Sequence, residues 1–345
     1  MSNSLHVLVV DDSALVRQTI LAILGTQADI RTSIAADPLI AMQRMKRDRP
    51  DVIILDLEMP RMDGITFLRK LMRETPTPVI VCSSHVGDGG AQAVRALEAG
   101  AVELIAKPSL GVRGFLNESA LMLIDAVRAA SAVRIPIRRV PVDAMLPPPA
   151  VVPGRRCETA RVVAVGASTG GTEAIREILD ALPASSCGLV IVQHMPEMFT
   201  RPFANRLNET SALAVKEAEA GDEVLPGRAL VAPGNRHLIV TRRGTRLVVD
   251  VVEGPMVSRH RPSVDVLFRS VASAVGPEAV GVILTGMGAD GATGLLDMHR
   301  AGAHTIAQDE ATCAVFGMPN EAIRRGGVRA VLPLEKIAAA IANRP

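Results

Sequence analysis

Three carboxylates, a lysine and a hydroxyl stand at the ends of apolar runs in the first third of the chain. Asp11 and Asp12 follow HVLVV (6–10), Asp56 follows DVIIL (51–55), Ser83 follows PVIVC (78–82) and Lys107 follows AVELIA (101–106). If these runs are neighbouring parallel strands, the groups converge on one edge. Like charges so placed repel unless a cation neutralises them, and hard oxygen ligands favour Mg²⁺. Such a set is equipped to accept a phosphoryl group, the cation and lysine stabilising charge on the transferring oxygens. The plainer alternative is that the paired aspartates only cap the first helix, which Asp12 or Ser13 could do. A cap leaves the other carboxylates and the lysine unexplained.

A second set lies further on. RVVAVGASTGGTEAI (161–175) reads strand, glycine-rich turn, helix, and contains Gly166-x-Ser168-x-Gly170, the pattern of a nucleophile elbow. His194 follows LVIVQ (189–193), and Asp290 lies in VILTGMGADGATG (282–294). Serine, histidine and aspartate at three strand ends form a triad in which the histidine takes the serine proton and the aspartate holds the imidazole. Asp265 and Asp309 are alternative third members. A glycine-rich turn can equally cradle a phosphate. Here neither G-x-G-x-x-G nor G-x-x-x-x-G-K-[ST] is present, and the strand near 190 ends in Gln193-His194 instead of an acid. His260, in a basic loop before a helix with Ser263 as its expected cap, could line a substrate groove. His6, His85, His237, His299 and His304 are expected to be structural.

Elements must position these groups. Runs at 6–10, 29–35, 51–55, 78–82 and 101–106 alternate with helically spaced stretches. That predicts a five-stranded doubly wound sheet, with working residues at the carboxyl ends of its strands. A second alternating region predicts strands at 161–166, 189–193, 228–233, 237–240, 246–252, 279–286 and 303–308. Helices are expected near 172–182, 200–209, 263–275, 291–301 and 334–343. Runs 237–240 and 246–252, separated by a turn with Gly244, suggest an antiparallel hairpin on a mostly parallel sheet. Between the two regions, residues 131–159 carry recurrent prolines, three in succession at 147–149, and read as an interdomain linker. The expected domains are therefore 1–130, the linker 131–159, and 160–345.

The chain has 345 residues and a formal net charge of +2, with 5 basic and 2 acidic side chains in the linker alone. That near-neutrality argues against a nucleic-acid binder. The lack of Trp and Tyr removes most base-stacking platforms. No basic recognition helix follows the linker, which disfavours a DNA-binding regulator. No apolar run approaches the roughly 18–20 residues of a membrane helix, and the first residues do not read as a signal peptide. A cytoplasmic protein is expected. The four cysteines form no Cys-x-x-Cys pair, so neither a zinc site nor a redox motif is suggested.

Residues 5–125 resemble a response-regulator receiver domain through Asp11-Asp12, Asp56, Met59-Pro60, Asp63-Gly64, Ser83 and Lys107-Pro108. The resemblance implies Asp56 as phospho-acceptor, Asp11 and Asp12 with Asp56 as Mg²⁺ ligands, Ser83 and Lys107 as switch residues and a histidine kinase as phosphoryl donor. Leu104 departs from the aromatic residue frequent at its position. Residues 160–340 resemble the chemotaxis protein-glutamate methylesterases through GASTGG (166–171), QHMP (193–196), APGNRHL (232–238), RPSVDVLF (261–268) and LTGMGADGATGL (284–295). That resemblance implies Ser168, His194 and Asp290 as the triad, with the backbone N–H of Met287 in the oxyanion site and Thr169 beside the nucleophile. The implied reaction is hydrolysis of glutamate methyl esters on chemoreceptors, with deamidation of receptor glutamines in many members. It also implies that the unphosphorylated receiver packs over the catalytic groove. The rival is a non-catalytic regulator whose second domain binds a nucleotide or a partner.

Overall fold

The computed structural model describes residues 4–60, 62–83, 89–107, 113–133 and 162–342. It divides into two compact units, Met1–Ile137 and Arg138–Pro345. Most of the expected linker lies outside the described residues.

The first unit alternates β1 (Leu5–Val10), α1 (Ala14–Leu24), β2 (Ile30–Ala35), α2 (Pro38–Met45), β3 (Val52–Leu55), α3 (Gly64–Glu74), β4 (Val79–Ser83), α4 (Gly89–Glu98), β5 (Glu103–Ala106) and α5 (Arg113–Ser131). The strands form one parallel sheet in the order β2-β1-β3-β4-β5, as expected. Helices cover both faces, so strands such as β3 and β4 are buried throughout, and continuous apolar runs encode them. The helices start on side-chain caps: Ser13 for α1, Asp37 for α2 and Asp63 for α3. Ser13 being the cap, neither Asp11 nor Asp12 serves that purpose. Leu104 is buried at 4% exposure on β5.

The second unit comprises β6 (Val162–Ala167), α6 (Gly171–Ala181), β7 (Gly188–Gln193), α7 (Glu197–Thr210), β8 (Ala214–Glu217), β9 (Arg228–Val231), β10 (His237–Arg243), β11 (Arg246–Val252), α8 (Val264–Ala274), β12 (Ala279–Ile283), α9 (Ala292–Arg300), β13 (His304–Gln308), α10 (Met318–Arg324), β14 (Ala330–Leu332) and α11 (Leu334–Ala342). Seven strands form a sheet in the order β14-β13-β12-β6-β7-β9-β8, every pairing parallel. The hairpin β10–β11 is antiparallel, as expected, but forms its own two-stranded sheet. One face of it, with Leu238, Val240, Leu247 and Val249, joins the core under α8. β8, β14 and α10 were not foreseen.

From β6 the chain winds to one side through β7, and later to the other through β12. The β6/β12 boundary is thus a topological switch point, where parallel sheets open a crevice at their carboxyl edge. Among the described residues no helix is long and apolar enough to cross a membrane.

Candidate active site

Both residue sets lie at carboxyl strand ends, one in each unit. In the first unit Asp11 and Asp56 are buried at 2% exposure and Asp12 is exposed. One oxygen from each of these three carboxylates lies within 4.8 Å of the others. Lys107 Nζ donates to Asp56 Oδ2 at 2.7 Å and lies 3.2 Å from Asp11 Oδ2. Asp11 Oδ1 accepts the Ser13 N–H at 2.7 Å, which turns the loop so that Oδ2 faces the cluster. That buried Oδ2 accepts no hydrogen bond. Burial pushes the Asp56 carboxyl up despite the lysine beside it. Burial also pulls the Lys107 ammonium down, but the hydrogen bond and charge of Asp56, with Asp11, outweigh it and leave it raised. Ser83 is buried at the end of β4, where its carbonyl accepts the Lys107 N–H at 2.9 Å. Two buried carboxylates, one with an oxygen held only by its ion pair to Lys107, and a third carboxylate open to solvent make a hard oxygen donor set that fits a divalent cation. His85 lies outside the described residues.

In the second unit β6 ends one residue before Ser168 and β7 ends at Gln193, paired with Ala167. His194 therefore stands beside Ser168 on the adjoining strand end, its N–H donating to Ala167 O at 3.0 Å. On the other side Ser168 N donates to Thr285 O at 3.0 Å, just beyond β12. The Ser168 carbonyl accepts Gly171 N at 2.7 Å and Gln193 Nε2 at 3.0 Å, which clamps the elbow from both flanks. Two glycines make the turn possible. Gly170 has φ +76°, and a Cβ on Gly286 would lie 2.6 Å from Ser168 Cβ. Ser168 and Thr169 are buried at 7% and 2%. The Thr169 carbonyl accepts Thr285 Oγ1 at 3.0 Å.

His194 Nε2 lies 2.8 Å from Asp290 Oδ2. A carboxylate only accepts, so Nε2 carries the proton and Nδ1 holds the lone pair. That Nδ1 is buried and has no hydrogen-bond partner among the described residues. Asp290 further accepts Val264 N at 2.7 Å, Ser263 Oγ at 2.7 Å and Asp265 N at 3.1 Å. It thus sits on the amino terminus of α8, where helix N–H groups stabilise an anion. Burial pushes this carboxyl up, but the His194 hydrogen bond and charge, then Ser263 and Val264, outweigh it and hold it at about 2. Of the three candidate aspartates, Asp290 is the one hydrogen-bonded to the imidazole. Asp265 accepts Gly294 N at 2.7 Å and Asp309 accepts Thr312 N at 3.0 Å, whereas Asp290 reaches the imidazole. Ser263 is the residue before α8 but makes no side-chain cap; its hydroxyl is given to Asp290, a role not foreseen. His237 accepts Ser263 N at 3.2 Å on Nδ1 and lies 2.9 Å from Pro255 O through Nε2, supporting that arrangement from behind. His6 and His299 lie 2.8 and 3.3 Å from the Ser33 and Thr305 hydroxyls. Met287 is 37% exposed at the crevice beside Gly286, and among the described residues its N–H donates to no other backbone group.

The family described as "CheB methylesterase" matches residues 163–341, and "Response regulator receiver domain" matches 7–113. A protein-glutamate methylesterase/protein-glutamine glutaminase of Anaeromyxobacter dehalogenans is 59% identical, covering 96% of this chain and 94% of that protein. One of Geobacter metallireducens, with the same description, is 56% identical over 97% of each. The crystal structure of the Thermotoga maritima CheB methylesterase catalytic domain is 38% identical and covers 53% of this chain and 97% of that one, with a TM-score of 0.52.

Proposed function

The chain belongs to the CheB methylesterase family, and from that premise we propose that it is a phosphorylation-regulated protein-glutamate methylesterase of chemosensory adaptation that also deamidates glutamine. The domain boundaries in this reading are a receiver at 1–130, a linker at 131–159 and a catalytic domain at 160–345. The observation that carries the catalytic reading is the His194–Asp290 pair beside Ser168, with Nδ1 buried and unpartnered.

In this mechanism His194 Nδ1 takes the Ser168 proton as Oγ attacks the ester carbonyl carbon. The imidazolium is stabilised by Asp290 through Nε2–H. The carbonyl oxygen becomes an oxyanion, which the Met287 N–H and the amino-terminal N–H groups of α6 receive. Thr169 holds the elbow through its bond to Thr285. When the tetrahedral intermediate collapses, the C–O bond to methoxide breaks and Nδ1–H returns its proton, releasing methanol. Water then gives a proton to Nδ1 and attacks the acyl-serine, and Ser168 leaves with that proton, freeing glutamate. Glutamine follows the same path with ammonia as leaving group.

Asp56 is the proposed phospho-acceptor, served by a histidine kinase. Asp11, Asp12 and Asp56 are the ligands of Mg²⁺, which when bound offsets the negative charge gathered around the transferring phosphoryl oxygens. Lys107 pairs with the phosphoryl group and Ser83 supplies the switch hydroxyl. The substrates are methyl-accepting chemoreceptors, reached in the cytoplasm. The nucleotide-binding rival is disfavoured because the glycine-rich turn is bonded tightly around a serine whose neighbour is an unpartnered imidazole nitrogen. Labelling of Ser168 by a serine-reactive phosphonate tests the assignment. Reaction with the parent but not with Ser168→Ala is expected; nucleotide binding without labelling would favour the rival.

A further inference from the structure

His260 lies face to face with His194, ring centroids 3.7 Å apart and planes within 7° of parallel. The ring is delivered by a two-residue turn, Val257–His260, closed by Val257 N to His260 O at 3.1 Å and His260 N to Val257 O at 2.9 Å. Both central residues are left-handed, Ser258 at φ +52° and Arg259 at φ +66°. That backbone suits Asn-Gly and is sterically costly for Ser-Arg. Strain of this kind persists where surrounding structure fixes it, often at functional sites. Here the turn's closing residue is the one stacked on the proposed base.

A metal centre is the obvious alternative, since ring nitrogens of His194 and His260 and an Asp290 oxygen lie within 4.8 Å of one another. The stacking rejects it. A ligated ion lies in the plane of each imidazole, about 2 Å from the nitrogen, and one ion cannot lie in two parallel planes separated by the stack. The Asp290 oxygens are also already occupied by His194 and the start of α8.

We propose that His260 is a positioning residue of the esterase: its ring covers one face of His194, fixes that imidazole's plane for proton exchange with Ser168, and keeps water off it. This deepens the reading of Ser168 and His194 given above and rests on it. His260 Nδ1 lies 2.7 Å from Ser258 O, so Nδ1 carries the proton and the tautomer is set by its own turn. Three titratable or charged groups act on the ring: His194 after β7, Asp290 after β12 and Arg259 in the turn. Burial, followed by the His194 charge, pulls His260 down to about 3 against the opposing pull of Asp290. A ring that stays neutral can cover an imidazole that becomes cationic during turnover without repelling it.

The experiment compares His260→Ala and His260→Phe in the full chain, activated by a small phosphodonor with Mg²⁺, reading methanol release from methylated receptors. Ser168→Ala serves as control, and melting temperature checks folding. In His260→Ala kcat should fall at least tenfold with KM within twofold. In His260→Phe, which keeps a flat uncharged ring, most of the rate should return with KM still within twofold. His260→Ala within twofold of the parent would overturn the proposal, as would Phe and Ala variants equally impaired. Retained activity in Ser168→Ala would instead overturn the underlying catalytic reading, so the two failures are distinguishable.

Discussion

At the residue scale, Asp290 holds His194 Nε2–H and leaves Nδ1 without a partner, as the proposed base requires. An amide at that position could present N–H toward Nε2 and favour the opposite tautomer. Asp290→Asn is therefore expected to lower kcat by about 10³–10⁴ with little change in KM, measured as methanol release. The site also carries a pH signature in stability. His260 is held near 3 in the folded chain against an ordinary value of 6.5. The folded state therefore refuses a proton that the unfolded state accepts, and stability falls as pH drops from about 6.5 toward 3. His260→Phe removes that slope. Urea melts should show the parent losing on the order of 1 kcal/mol more than the Phe variant between pH 8 and pH 5. Asp290 works in a lower window: its depressed carboxyl stabilises the fold above the unfolded value near 3.8, and this contribution is lost as pH falls through about 2.

At the element scale, the elbow depends on how closely the loop after β12 approaches the end of β6. A methyl group on Gly286 would sit 2.6 Å from Ser168 Cβ and 2.5 Å from Met318 Sδ. Gly286→Ala should displace Ser168, cut kcat at least tenfold and destabilise the unit by about 1–3 kcal/mol through overpacking, read by turnover and thermal melting. The elements themselves were largely legible, for a physical reason. Strands covered on both faces are written as unbroken apolar runs, such as VIIL and VVAVGA, and strand ends then locate the chemistry. Edge strands lack that signature. β8 reads AVKE with half its residues polar, and β14 is three residues with an exposed centre. α10 opens on Met-Pro-Asn and spans only seven residues, too short to show a period. The hairpin was visible as a hairpin, but its separation from the main sheet was not, because pairing partners are a tertiary matter. The His260 stack and the Ser263 hydroxyl were equally hidden. They depend on a left-handed turn at Ser258 and Arg259 that no residue type there announces.

At the scale of the whole molecule, the proposed regulation joins two units through Asp56. Asp56→Asn should bind cation poorly and leave the esterase rate unresponsive to phosphodonor, with basal activity retained. Chelation of the divalent cation should likewise abolish stimulation of the parent. Removal of residues 1–140 should release the catalytic domain to a rate above that of the intact unphosphorylated chain. A fragment no faster than that chain would exclude restraint by the receiver as the mechanism. The near-neutral total charge, +2 over 345 residues, argues against a nucleic-acid partner.

The most direct test is methanol release from methylated receptors by the purified full chain, with and without a small phosphodonor and Mg²⁺, alongside Ser168→Ala. The parent should release methanol, faster when phosphodonor and cation are both present, and Ser168→Ala should release none. Undiminished release from Ser168→Ala, or none from the activated parent, would contradict an esterase built on Ser168, His194 and Asp290.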